Sequence, residues 1–180
     1  MSKFPAMDSH YFQVMNKRDQ IQTNGTRLYF AYSTILDQAA FQEWAIQHSY
    51  QFFTLPEGKV AQAPDMDLVF DFPSRWWGGL VAGLTDKKDS SVYGVLFEIT
   101  DKDWPIIQHK EGAITGMCIE KSVQVNVGGQ TVTATAFVTN PQRAQTEGEI
   151  SHRFIAALVQ GATASGLPAD YVKKLNSFLK

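Results

Sequence analysis

The sequence predicts an α+β fold around a curled, mostly antiparallel sheet. Three observations predict it. Strand-like apolar segments occupy the first three quarters of the chain, one amphipathic helix follows the first of them, and two further helical stripes close the C-terminus. The elements follow in order. Residues 1–25 are polar and irregular and read as an N-terminal extension, leaving residues 26–180 as a single domain. Leu28 to Tyr32 is a short apolar and aromatic run suited to a buried strand. Asp37 is placed to cap a helix in which Ala40, Phe41, Trp44 and Ala45 recur at helical spacing until His48-Ser49. Asp67 to Phe72 reads as a strand closed by Pro73-Ser74, and Ser91 to Ile99 as another. Between them, the adjacent Gly78 and Gly79 of Arg75-Trp76-Trp77-Gly78-Gly79 suggest close approach of another backbone. Asp101 is positioned to cap a short helical turn through Trp104, Ile106 and Ile107 toward His109. Val123, Val125 and Val127 alternate with polar residues up to Gly128-Gly129, beyond which Val132, Ala134, Ala136 and Val138 alternate again, the pattern of a two-residue β-hairpin. Ser151 then caps a helix carrying Phe154, Ile155, Leu158, Val159 and Ala162, which Gly166 and Pro168 end. Tyr171, Val172, Leu175 and Phe178 stripe the last helix.

Composition narrows the function classes. Hydrophobic residues make up 44% of the chain, enough for a real core. Sixteen Lys and Arg against eighteen Asp and Glu give a formal charge of -2, too even a balance to draw the chain to nucleic acid or an anionic membrane. Neither is expected as a partner. The single cysteine, Cys118, supplies neither a disulfide framework nor a cysteine zinc cluster, which fits a cytoplasmic setting. The first twenty-five residues lack the apolar run of a secretory signal, and no stretch is apolar enough for a transmembrane span.

Conventional catalytic signatures are missing. His10, His48, His109 and His152 are far apart in sequence, so a metal site would have to gather ligands from distant segments, and none is expected. Cys118 and His109 could form a nucleophilic pair if the chain turned between them, but a small thiol entering a strand is more readily explained as packing. There is no Gly-x-Ser-x-Gly elbow, phosphate-cradling loop or His-Glu-x-x-His. What remains is one carboxylate at a turn, Glu111, followed by Gly112.

Three separated segments give that carboxylate meaning. Tyr29-Phe30-Ala31-Tyr32 with the following Ser33-Thr34-Ile35-Leu36, then Gln108-x-x-Glu111-Gly112-x-x-x-Gly116-Met117, then Gly161-Ala162 with Gly166-Leu167-Pro168 and Tyr171, occur in that order. Together they resemble the γ-glutamylcyclotransferase-like (AIG2-like) family over the chain from about Leu28 onward. The resemblance implies a curled, mostly antiparallel β-barrel or sheet with one helix after the first strand and two at the end. It also implies intramolecular aminolysis: the α-amino group of a γ-glutamyl unit attacks its own γ-carbonyl, releasing 5-oxoproline and an amine. No cofactor or metal is then required, and the partner is a small γ-glutamyl compound bound by a monomer or homodimer.

By position Glu111 matches the family's general base and acid, and the loop after the first strand matches its donors to the oxyanion and the α-carboxylate. The substrate-binding residues so implied are Tyr29, Phe30, Ala31, Tyr32, Ser33, Thr34, Ile35, Cys118 and Phe137. The loop departs from the family's Gly-Ser-Asn, having Ser33, Thr34 and Ile35, and Cys118 and Phe137 stand where tyrosines are usual. A left-handed backbone at Ser33 would cost roughly 1–2 kcal/mol, and Ile35 would replace a polar contact by an apolar wall. An altered leaving amine is the expected consequence. Phe137 reads equally as pocket wall or core filling, and Trp76 and Trp77 as cleft rim or as shields of a sheet edge. Two alternatives stand beside cyclisation: a related acyl-transfer or amide-cleaving enzyme acting on another γ-acylated small molecule, and a catalytically silent binding module of the same fold.

Overall fold

The computed structural model describes residues 25–179, so the expected extension over residues 1–25 and its His10 lie outside the described residues apart from Gly25. Five strands, β1 (Thr26–Ala31), β2 (Lys59–Ser74), β3 (Gly79–Thr100), β4 (Cys118–Val127) and β5 (Gln130–Thr139), close a barrel in the order β1-β3-β2-β4-β5. Neighbours run antiparallel except where β1 meets β5 in parallel at Tyr29↔Thr135, the contact that completes the ring. Helix α1 (Gln38–Gln47) follows β1 through a 3-10 turn at Thr34–Leu36, and α2 (Trp104–Lys110) links β3 to β4. Helices α3 (His152–Ala164) and α4 (Ala169–Asn176) end the chain, with a last 3-10 turn at Ser177–Leu179. The architecture is the expected α+β class.

Local chemistry explains most of the boundaries. The β4–β5 turn is the expected two-residue connection, with Gly128 and Gly129 both at positive φ (56° and 79°), a conformation that matches the twist of the flanking strands and that side-chain-bearing residues rarely adopt. Asp37 caps α1 by accepting from the Ala40 amide, and Ser151 caps α3 by accepting from the Phe154 amide. The cap of α2 differs from the sequence reading. Asp103 occupies it, and Asp101 instead pairs with Arg27 at 2.8 Å, tying the chain beyond β3 to the start of β1.

Two strands are far longer than their apolar segments. Asp67 to Phe72 and Ser91 to Ile99 are parts of one long hairpin, β2–β3, paired from Lys59↔Leu96 to Ser74↔Gly79. Pro64 obscured the first half of β2, because proline removes a ladder donor; it sits at a register shift, where the missing N–H is tolerated. The charged run Thr85 to Asp89 obscured the middle of β3, since it is exposed and has no core face to alternate against.

Two close approaches set the helices on the barrel. An added Cβ on Gly79 would lie 2.8 Å from the Glu149 carbonyl oxygen, as the adjacent glycines suggested, because the chain before α3 bonds β3 there through Leu80 and Glu149. An added Cβ on Gly161 of α3 would lie 2.5 Å from the Asp37 amide nitrogen. This absence of a side chain lets α3 press on the end of the 3-10 turn and hold it against the barrel mouth.

Candidate active site

Glu111 stands at the end of α2, its amide bonded to the Ile107 carbonyl and its chain turned away by Gly112 at φ 78°. Its side chain reaches the interior of a cavity of about 460 Å³, within the range of sites that enclose small molecules. Behind it, Tyr29 of β1 donates its hydroxyl to Glu111 Oε1 at 2.8 Å. The Tyr29 ring is fixed among Phe97, Trp104 and Phe137, with centroids 5.9–6.3 Å away. Burial pushes the Glu111 carboxyl above its ordinary value, and the neighbouring Lys110 charge and the Tyr29 hydroxyl oppose that rise in part. A carboxylate raised in this way is a better proton acceptor near neutral pH.

The turn after β1 faces the same cavity. Ser33 and Thr34 line it together with Tyr32, Glu111, Cys118 and Phe137. Within the turn, the Leu36 and Asp37 amides bond back to the Ser33 and Thr34 carbonyls. The first amides of such a turn have no partner inside it and are available to a ligand. Ser33 has φ -118°, an ordinary extended backbone, so serine carries none of the left-handed strain that the replaced glycine raised. The Tyr32 hydroxyl donates to the Phe137 carbonyl, bracing this end of β1 against β5.

Other expected site residues lie elsewhere. Tyr29 touches the carboxylate and does not line the cavity, and Phe30, Ala31 and Ile35 are buried in the core away from it. Ile35 is therefore no apolar wall to a ligand. At 1% exposure it points inward from the 3-10 turn, where the core takes an apolar side chain more readily than an amide. Phe137 serves both its readings, being almost fully buried against Tyr29 and Trp104 while one face reaches the cavity.

Cys118 lines the cavity, but burial and the nearby Glu111 and Asp71 push its thiol up to about 12, so it stays protonated. The pairing with His109 does not form. His109 meets the Tyr50 hydroxyl at 3.0 Å and the Trp44 ring at 5.3 Å, outside the cavity lining. The expected scatter of the histidines fails at one point, because α1 packs on α2 and brings the His48 and His109 rings to 5.1 Å. Among the described residues, no group of three His, Cys, Asp or Glu side chains gathers to hold a metal.

Several lining residues were not expected from the sequence. Trp44, Glu43 and Gln47 come from α1 and His48 from its C-terminal cap, Lys110 from α2, Thr139 from β5 and Arg153 from α3. Helical periodicity marked Trp44 only as apolar stripe, and nothing local marked Lys110 or Arg153. Trp76 and Trp77, at the β2–β3 turn, both line the cavity, which favours the cleft-rim reading. Trp76 is 63% exposed, whereas Trp77 packs edge-on against Phe154 and beneath the Arg153 guanidinium at 5.9 Å.

Comparison with known proteins agrees with this architecture. Residues 91–175, which contain Glu111, match the model of the AIG2-like family. The gamma-glutamylcyclotransferase of Bos taurus is 28% identical over 124 residues, covering 66% of this chain and 64% of the relative, just under two thirds of its length. A solved gamma-glutamyl cyclotransferase superposes with a TM-score of 0.70 at 22% identity, covering 85% of this chain and 88% of the other. An uncharacterised protein from Homo sapiens gives 0.68 at 22% identity, with coverage of 84% and 87%. The fold is thus that of the gamma-glutamyl cyclotransferases. Over residues 91–175 the chain is similar to the AIG2-like family.

Proposed function

We propose that the protein cyclises a γ-glutamyl amide or amine, releasing 5-oxoproline and a free amine. One observation carries this reading: a carboxylate raised by burial and braced by Tyr29 lines the same half-open cavity as Ser33 and Thr34 of the turn after β1. The reaction needs no protein nucleophile. Glu111 takes a proton from the substrate's α-ammonium, and the freed amine attacks the γ-carbonyl carbon. A carbon–nitrogen bond forms, and the carbonyl oxygen gains negative charge that the Ser33 and Thr34 amides stabilise by hydrogen bonding. The bond to the leaving nitrogen then breaks as Glu111 returns the proton to it, and the second proton of the attacking nitrogen passes to the released amine, which leaves as an ammonium beside neutral-lactam 5-oxoproline. Holding a tethered amine in attack geometry is worth roughly 7–11 kcal/mol, so a site poor in conventional nucleophiles suffices. The leaving portion faces the rim of Trp76, Trp77, Arg153, Glu43 and Gln47, which is where the choice of amine is made.

The test is a panel of γ-glutamyl amino acids, amines and anilides assayed for 5-oxoproline. Wild type is expected to release it from at least one member, and Glu111→Gln to lower kcat about a hundredfold to ten-thousandfold while ligand binding persists. Binding without 5-oxoproline release from any compound would replace the enzyme reading by that of a binding module. Release of the amine with free glutamate, or with transfer of the γ-glutamyl group to another amine, would replace cyclisation by amide cleavage or acyl transfer.

A further inference from the structure

Strand β2 sets a second carboxylate behind the cavity wall. Phe70 pairs with Ala82 and Phe72 with Val81, so Asp71 between them is a bulge residue without a partner on β3. A bulge re-aims the side chain it carries. Here the Asp71 carboxylate accepts from the Thr139 hydroxyl of β5 at 2.6 Å. Gly83 makes room for the pair, since a Cβ added there would lie 2.6 Å from Asp71 Oδ1 and 2.7 Å from Thr139 Oγ1. Thr139 is 7% exposed, lines the cavity, and pairs across the β4–β5 ladder with Cys118, another lining residue. Burial pushes the Cys118 thiol up, and the Glu111 and Asp71 charges add to the rise, so both carboxyls lie near it.

The pair has a fixed polarity. A hydroxyl has one proton, and a carboxylate can only accept. With its proton given to Asp71, the Thr139 oxygen offers a ligand only lone pairs, backed by negative charge. Such a subsite takes an N–H and disfavours an oxygen. Its place in the wall selects the N–H. From Asp71, β2 runs through Phe72 and Ser74 to the turn of Trp76 and Trp77, and these four residues line the cavity. The wall that begins at Cys118 and Thr139 therefore ends at the rim that faces the leaving portion. We propose that Thr139 accepts a hydrogen bond from the nitrogen that leaves, with Asp71 as the positioning residue that keeps the hydroxyl proton turned away from it. The proposal rests on the cyclisation reading for the identity of that nitrogen. As the leaving nitrogen gains its protons and becomes an ammonium, this contact strengthens, while Thr139 and Asp71 exchange no proton themselves. The substrate class that follows is the amide of a primary amine, which carries an N–H at the scissile bond, rather than an ester.

Binding separates the contact from turnover. In the Glu111→Gln protein, γ-L-glutamylmethylamide and L-glutamate γ-methyl ester, which differ by an N–H against an oxygen, are compared by titration calorimetry, alone and with Thr139→Val or Thr139→Ser added. The methylamide is expected to bind at least about tenfold more tightly, because the ester sets an oxygen against lone pairs. Thr139→Val should bring the two within about twofold, and Thr139→Ser should keep most of the difference. Turnover gives a second measure in protein that retains Glu111. There Thr139→Val and Asp71→Asn should slow 5-oxoproline release from γ-L-glutamylbenzylamide at least about tenfold more than from γ-L-glutamyl-4-nitroanilide, since the basic amine leaves only when protonated. A tie between β2 and β5 that served structure alone would slow both alike, and that result overturns the proposal. So does an amide preference that survives Thr139→Val, equal binding of the two compounds, or failure to bind either. Should Thr139→Val fail to fold, Thr139→Ala supplies the same comparison. The two readings fail separately: a Thr139-dependent amide preference with no 5-oxoproline from wild type leaves the subsite standing and removes the cyclase, whereas 5-oxoproline release with a preference unchanged by Thr139→Val does the reverse.

Discussion

At the residue scale the proposed chemistry turns on how Glu111 is held. Its hydroxyl partner, Tyr29, stabilises the charged form while burial destabilises it. The Tyr29→Phe variant removes only the stabilising contact, so the Glu111 carboxyl moves further up. If Glu111 acts as base, it works when ionised, and the acid limb of the pH profile of kcat/KM should shift to higher pH in Tyr29→Phe. An unmoved limb would show that the hydroxyl does not tune the acid. Glu111 was legible in the sequence because it falls in a motif with recognisable neighbours. Lys110 was not, since a lysine beside a turn has the same composition whether it points to solvent or into a cavity. The aromatic floor that holds it, Trp44, comes from a different helix.

At the scale of elements, α3 positions the site twice. Its N-cap Ser151 accepts from the Phe154 amide and also donates to the Trp77 carbonyl at 2.6 Å, joining the helix start to the cavity rim. Ser151→Ala should cost about 0.5–2 kcal/mol for the lost cap, read as a lower midpoint in urea unfolding. A midpoint equal to wild type would mean that the cap adds nothing. One face of the same helix presents Gly161 to the backbone of Leu36 and Asp37. Gly161→Ala meets backbone atoms rather than the end of a flexible side chain, so overpacking of roughly 1–3 kcal/mol is expected. Thermal unfolding checks it, and a melting temperature no lower than wild type would show that helix and turn separate freely. The hairpin β4–β5 and the caps Asp37 and Ser151 were readable from local rules. The full β2–β3 hairpin was not, because it runs past Pro64 and an exposed charged run that has no core face to alternate against.

At the scale of the whole molecule, Asp67 of β2 anchors the C-terminal helix to the barrel through Lys174 at 2.8 Å and also receives Lys87 at 2.7 Å. Burial alone would raise the Asp67 carboxyl, but the hydrogen bonds from Lys174, Lys87 and the Leu68 amide outweigh it and lower the carboxyl to about 2. Because the folded state holds this group below its unfolded value of 3.8, its contribution is present above that value and fades as pH falls toward about 2. Asp67→Asn should therefore reduce stability at neutral pH and flatten its fall over that acid window. Denaturation midpoints measured from pH 2 to 7 decide it, and parallel curves for variant and wild type would refute the assignment. By itself the sequence determined the α+β class, the order of helices and strands and the glycine turn of the last hairpin, because each depends on periodicity or on conformational preferences local to a few residues, while Glu111 stood out only through the resemblance of separated segments to a family. Closure of the barrel through β1 and β5, the inward turn of Ile35, and the meeting of α1, α2 and α3 around one cavity were decided only in three dimensions. Burial and orientation are properties of the packed assembly, and they bring the neighbouring Lys110 and Glu111 to one cavity with Arg153 of α3.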